Sequence, residues 1–416
     1  MINRFYNGKT IKALVLAASL AAAGAAFTGC GKQPETIDAG QAAQQIEDDA
    51  AAQNEQAGSD AADADGESAD AQTSDAKDTA DEPAEGSKDS AGALGSELTG
   101  GQLPIVGMAT GHGGIEDQSF NQSAWEGLQW FAGMSGCRVL FKESLQETDL
   151  TNNIAALIDE GSNLVWATGY ESGPQILEAA QKYTTSSFAI IDYAYEDMPD
   201  NLTGVVFRDQ EPSFLVGYIA ANMTETGKVG FVGGTESDVI RQFEYGYRAG
   251  VAYGAAKAGK EVNVESAYTG NFQEVAKGRQ TAMDLYDGGC DIVFHAAGQA
   301  GVGVIDAAKQ TGKYVIGVDK DQAFLAPDNV LTSAMKYVNM AVKQLSDQFV
   351  AGKAIGGQNV SLGLSEDAVG ISENHSLYPD ELYDETMELA EQIKDGTLTV
   401  PENEEELSAF LKDSLP

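Results

Sequence analysis

The chain has 416 residues, with 64 acidic against 25 basic side chains and a formal net charge of −39. That charge excludes nucleic-acid binding of the kind that rests on neutralising phosphates. Three histidines and three cysteines stand too far apart for a metal-ligand pattern, while the length suffices for two core-containing domains.

The N-terminus reads as a leader. Arg4, Lys9 and Lys12 precede an apolar, alanine-rich run over 13–27 that is too short for a comfortable membrane span. It ends in Thr28-Gly29-Cys30, the small residues and cysteine that a lipoprotein signal peptidase requires. Residues 1–29 are therefore predicted to be a signal peptide, and Cys30 the lipidated first residue of the mature chain, with the membrane as partner through that lipid. Residues 30–102 follow as a predicted acidic tether. Positions 33–100 hold 18 acids, 2 lysines and almost no large apolar side chain, so ordering them has nothing to offset its entropy. As a flexible chain this segment would span roughly 45 Å. Without those residues and the four bases ahead of them, the remainder still has a net charge near −27.

From 103 onward, apolar runs of strand length alternate with helical periodicity. Strands are predicted at 103–110, 137–142, 164–169, 187–192 and 204–209, with helices at 119–134, 148–160, 174–183 and 211–226. The rhythm restarts with strands at 228–234, 262–270, 291–298 and 314–319 and helices at 239–259, 273–287 and 301–311. A strand at 330–333 leads into a helix at 334–351. Residues 360–372 read as a small hairpin, and helices near 380–395 and 403–413 end the chain. This order means parallel sheets covered by helices on both faces. Two such units in series suggest two similar lobes. Cys137 and Cys290 sit beside strands and read as buried free thiols rather than a disulfide.

Ligands of open parallel sheets bind beyond the carboxyl ends of the strands. Asp192 and Asp319 end strands there, and neither begins a clear helix that it would cap. Each is placed to accept hydrogen bonds from ligand hydroxyls or ring N–H groups. Phe120 and Phe272 fall in polar loops after strands, one in each lobe. Taken singly, either ring would tuck into its own lobe; their matched placement favours a clamp on a flat ligand. Lys336 is expected at the start of a helix, where the dipole disfavours a cation, which suggests a functional use. Glycines in AAGQAGVG (296–303) precede a helix N-terminus, but neither this run nor GHGG (111–114) has dinucleotide-binding spacing. No nucleophile, base and orienting group stand together, so binding rather than catalysis is expected, without cofactor or metal.

Taken in order, GGIEDQSFNQSAWEGL, FAIID, FRDQEPSFLVGYIA, KVGFVGG, FQEVAKG, GGCDIVFHAAGQAGVG, YVIGVDKDQ and TSAMK resemble the basic membrane protein family, the purine-nucleoside-binding lipoproteins of ABC transporters. The resemblance covers about 104–372. It implies an α/β type I periplasmic-binding-protein fold: two Rossmann-like lobes with parallel sheets, joined by a three-crossover hinge. The lobes would be 103–225 plus about 333–352, and 226–332 plus about 353–416. It further implies that a nucleoside is captured in the cleft and delivered to a membrane permease. By the same resemblance Phe120 and Phe272 would stack on the two faces of the purine, with Asn121 beside the first ring. Asp192 would hydrogen-bond the ligand, and Gly298, Asp319 and Lys336 would surround the ribose. One departure stands out. Where the family commonly has an aspartate at the end of the first strand, this chain has Gly111, leaving His112, Glu116 or water to take its place. This departure keeps open a surface signalling lipoprotein with an altered cleft as an alternative; a binding protein for a sugar or other small polar ligand is another, because aromatic stacking also suits pyranose rings.

Overall fold

The computed structural model describes residues 103–111, 114–144 and 146–416. The predicted signal peptide, Cys30, the predicted tether and His112 lie outside the described residues.

The first sheet is built from β1 (Ile105–Thr110), β2 (Arg138–Glu143), β3 (Ser162–Thr168), β4 (Ser187–Ile191) and β5 (Leu202–Phe207). Between them run α1 (Phe120–Ser135), α2 (Glu147–Asp159) and α3 (Gly173–Lys182). The second sheet holds β6 (Lys228–Gly233), β7 (Asn263–Tyr268), β8 (Ile292–Ala296), β9 (Tyr314–Asp319) and β10 (Val330–Lys336). Its helices are α4 (Gln210–Met223), α5 (Asp238–Ala258), α6 (Val275–Asp287) and α7 (Ala300–Thr311). Then follow α8 (Val338–Val350), β11 (Gln358–Leu362), β12 (Val369–Ile371), α9 (Asp380–Lys394) and α10 (Glu404–Asp413). Strand order is β11-β5-β4-β3-β1-β2 in one sheet and β12-β10-β9-β8-β6-β7 in the other. All pairings are parallel except β10–β12.

Central strands are apolar along their whole length because helices cover both faces. β8 (IVFHA) is buried at every position, whereas the edge strand β7 (NVESAY) is half-exposed and polar, as an uncovered edge demands. The expected fold class is the one observed. The chain passes between the sheets three times, after β5, after β10 and between β11 and β12.

The sheets draw the lobes differently from the boundaries expected above. α4 packs on α5 of the second lobe, not on the first. Its Gly217 faces the Tyr247 carbonyl, while Gly250 of α5 faces the Phe214 carbonyl. A Cβ at Gly250 would lie 2.0 Å from that oxygen, so the two backbones touch where no side chain fits. β10 belongs to the second sheet through Lys336, so the helix that follows starts at Val338 rather than 334. α8 then packs on α1 of the first lobe. Residues 360–372 are no hairpin, since β11 extends the first sheet and β12 the second. Residues 363–368 between them form the third crossover, tied down by Arg208 from the first: its guanidinium pairs with Glu366 and with Glu211 at 2.7 Å. Periodicity reports which residues are buried but not which sheet receives them. Cys137 and Cys290 are buried and free.

Candidate functional site: the interlobe cleft

The carboxyl ends of both sheets face one cleft with about 680 Å³ of empty space, part of it open to solvent. From the first lobe the cleft is lined by Gly111, Asp117, Phe120, Asn121, the loop 168–171 and Asp192. The second lobe contributes Val239, Ile240, Phe243, Phe272, residues 296–299, Val318, Asp319 and Lys336. All seven principal residues expected from the sequence thus meet in one place. Glu116 does not join them: it is exposed and absent from the lining.

Phe120 opens α1. The turn before it is fixed by Asp117, whose carboxylate accepts the backbone N–H groups of Ser119 (2.9 Å), Asn121 (2.8 Å) and Gln122 (3.0 Å). These are the unpaired donors of a helix start, so the acidic residue serves the loop. Burial raises the Asp117 carboxyl above its usual range, partly offset by those N–H groups. Asn121 is buried and accepts the Thr168 hydroxyl at 2.6 Å. Thr168 in turn accepts the Gly111 N–H at 2.9 Å. A Cβ at Gly111 would stand 2.7 Å from the Thr168 carbonyl oxygen, so β1 leaves no room for an aspartate without a shift of β3.

Phe272 enters from the loop after β7. Its ring lies against Gly234, where a Cβ would approach it to 2.2 Å. Its carbonyl accepts the Ala300 N–H at 2.9 Å, which ties it to the start of α7. One ring therefore reaches the cleft from each lobe. Gly298 sits in the left-handed region, with φ of 53°.

Asp192 and Asp319 occupy equivalent strand ends and share a rare backbone state. Their φ values are 69° and 66°, in the left-handed region that non-glycine residues seldom adopt. Such strain persists where the surroundings hold a side chain in place. Asp319 accepts the Ser119 hydroxyl across the cleft. Burial pushes its carboxyl up to about 6, against the lowering effects of Lys336 and Ser119.

Lys336 is 1% exposed. Its ammonium donates to both oxygens of Asp192 at 2.8 Å and to Asp209 at 3.0 Å. It also stands about 5 Å from the Phe120, Phe207 and Phe243 rings. Burial alone would depress it, but Asp192, Asp209 and Asp319 outweigh burial and raise it above the ordinary lysine value. Its position is thus a strand end with buried anions, not the helix start expected from the sequence.

Asp209 and Asp117 escaped the sequence reading as site residues. Both lie inside motifs quoted above, but their neighbours pointed only to a helix start. Thr168, Tyr170 and Glu171 were also missed, because the strand-end signal there was a glycine, Gly169. The two described histidines stay apart: His295 is buried in β8 outside the cleft lining, lowered to about 4 by burial, and His375 pairs with Asp380. Among the described residues no cluster of His, Cys, Asp and Glu could hold a metal ion, and no helix could cross a membrane.

The cleft is held shut by protein groups. Besides Ser119–Asp319, the Gln322 amide donates to the Gln118 carbonyl at 3.0 Å, and Lys320 pairs with Glu126 at 2.7 Å. Such an enclosure can bind and release a small polar molecule by hinge motion.

A family described as "ABC transporter substrate-binding protein PnrA-like" (Bmp) matches residues 105–404. The chain is 39% identical over 316 residues to Basic membrane protein A of Borreliella afzelii, covering 75% of this chain and 95% of that protein. It is 37% identical over 320 residues to the CD4+ T-cell-stimulating antigen of Listeria monocytogenes, covering 71% and 88%. Among solved structures it is similar to an ABC transporter solute-binding protein from Aeropyrum pernix K1, with TM-score 0.68, 26% identity and coverage of 74% and 97%. A solute-binding protein from Conexibacter woesei, at TM-score 0.59, 24% identity and coverage of 72% and 99%, shares the fold. Cleft, hinge and match together make this chain a member of the Bmp family of ABC transporter substrate-binding proteins.

Proposed function

We propose that this protein captures a purine nucleoside in the interlobe cleft and delivers it to the permease of an ABC importer, tethered to the outer face of the membrane through a lipid on Cys30. The observation that carries the reading is the pair of rings, Phe120 and Phe272, entering one cleft from opposite lobes. Such a pair suits a flat base, which gains stacking and burial on both faces. Asp192 and Asp319, held at strained strand ends, are hydrogen-bond acceptors for ribose hydroxyls. Gly111 leaves the base edge without the carboxylate common in the family, so Thr168, Tyr170, Glu171 and water are left to read it.

Alanine at Phe120 or Phe272 tests the clamp. Each substitution is expected to weaken nucleoside binding by roughly 1–3 kcal/mol, as base-stacking truncations do, while circular dichroism shows the fold kept. Unchanged affinity in both variants would contradict the clamp.

A further inference from the structure

Asp209 has no place among the cleft-lining side chains, yet it sits behind them, 1% exposed. It lies in the first crossover, just before α4. One oxygen accepts the Lys336 ammonium at 3.0 Å, and the other is buried without a partner among the described residues. The groups facing Asp209 are Lys336, Asp192 and, further along, Asp319; Asp117 lies beyond Asp319. Arg208, its chain neighbour, is engaged by Glu211 and Glu366 and gives no compensating charge. Asp117 has its helix N–H groups and Asp319 has the Ser119 hydroxyl. Asp192 takes two of the lysine's hydrogen bonds, one on each oxygen.

One ammonium therefore serves two carboxyl groups, and the second is half-satisfied. A buried anion with a bare oxygen costs far more than a neutral acid in the same place. We propose that Asp209 is a positioning residue that carries a proton in the closed cleft and loses it when the lobes part. The neutral acid leaves the charge of Lys336 to Asp192, and so holds both groups at the cleft wall where the ligand arrives. This proposal rests on the nucleoside reading only for the choice of ligand.

Burial places the Asp209 carboxyl well above its ordinary range, in agreement with the geometry. The sign follows by linkage: closure takes up a proton from solvent. Affinity should therefore rise as pH falls through the closed-state value and level off below the ordinary carboxylate range.

The test is isothermal titration of the mature chain with inosine, adenosine and guanosine at neutral pH. Phosphate and Tris buffers differ in ionisation enthalpy, so the difference in apparent heat counts protons. Wild-type protein is expected to take up close to one proton per ligand. Asp209→Asn, which is neutral in the open and closed forms alike, should bind at least tenfold more tightly than wild type at neutral pH and take up almost none, while Asp209→Ala should bind about tenfold or more weakly than the Asn variant. No uptake by the wild type, or an Asn variant as weak as the Ala variant, would overturn the proposal. If the wild type binds none of the three nucleosides, the nucleoside reading has failed by itself. The proton is then read by carbon-13 NMR of aspartate-labelled protein held closed by a short cross-link between Glu126→Cys and Lys320→Cys, whose native side chains pair across the cleft at 2.7 Å. One carboxyl protonated at neutral pH and missing in Asp209→Asn is expected; a fully ionised set would overturn the proposal.

Discussion

Asp319 shows how one side chain can trade stability for a binding surface. It accepts a single hydroxyl, sits in a left-handed conformation and is pushed up to about 6 by burial. An acid whose folded value exceeds its unfolded one binds more protons when folded. Its contribution to stability is therefore full below the unfolded carboxylate range and declines as pH rises towards about 6. A rise of two units or so corresponds to roughly 2–3 kcal/mol. Asp319→Asn should remove this decline: between pH 4 and pH 7 the ligand-free variant should gain on the wild type in thermal unfolding. Parallel pH profiles for the two proteins would count against a raised Asp319. Gly234 makes a second residue-scale case, because a Cβ there would strike the Phe272 ring. Gly234→Ala should weaken ligand binding about as much as Phe272→Ala, by roughly 1–3 kcal/mol, although residue 234 lies outside the cleft lining. Full affinity in this variant would show that the ring seat is adaptable.

Elements were the most legible level of the sequence. β8 and β9 are almost continuously apolar because both faces are covered, and their runs could be read directly. Asp192, Asp319, Phe120 and Phe272 could be found because each follows such a run and departs from its surroundings. Asp209 could not be found that way. Its importance comes from Lys336, which is 127 positions away, and no local pattern encodes that meeting. The misread start of α8 and the supposed hairpin have the same origin: both are crossovers, where the chain changes sheets without changing its polarity pattern. The contact of α4 with α5 was equally silent, because glycines in a helical stretch look like weak helix formers until the backbones are seen to touch. Gly250→Ala should cost about 1–3 kcal/mol, the usual penalty of overpacking, read as a lower urea midpoint. A change near zero would mean that the two helices can part without cost.

At the scale of the whole molecule, the three crossovers bring together what the two lobes must share. Asp209 lies in the first, Lys336 ends the strand that leads into the second, and Glu366 in the third is tied to Arg208 in the first. The buried cation thus stands where hinge and cleft meet, and Lys336–Asp192 and Ser119–Asp319 both span the lobes. Opening breaks these contacts, and a ligand that touches both lobes favours the closed form that a permease can distinguish. Family membership establishes a substrate-binding role; the central claim beyond it is that the substrate is a purine nucleoside. The most direct measurement is isothermal titration of wild-type protein, unfolded and refolded to strip carried-over ligand, with adenosine, guanosine, inosine, cytidine, uridine, free ribose and galactose. Binding of at least one purine nucleoside, well ahead of ribose and galactose, is the expected result. Preference for a free sugar, or no binding to any of the seven, would contradict the account.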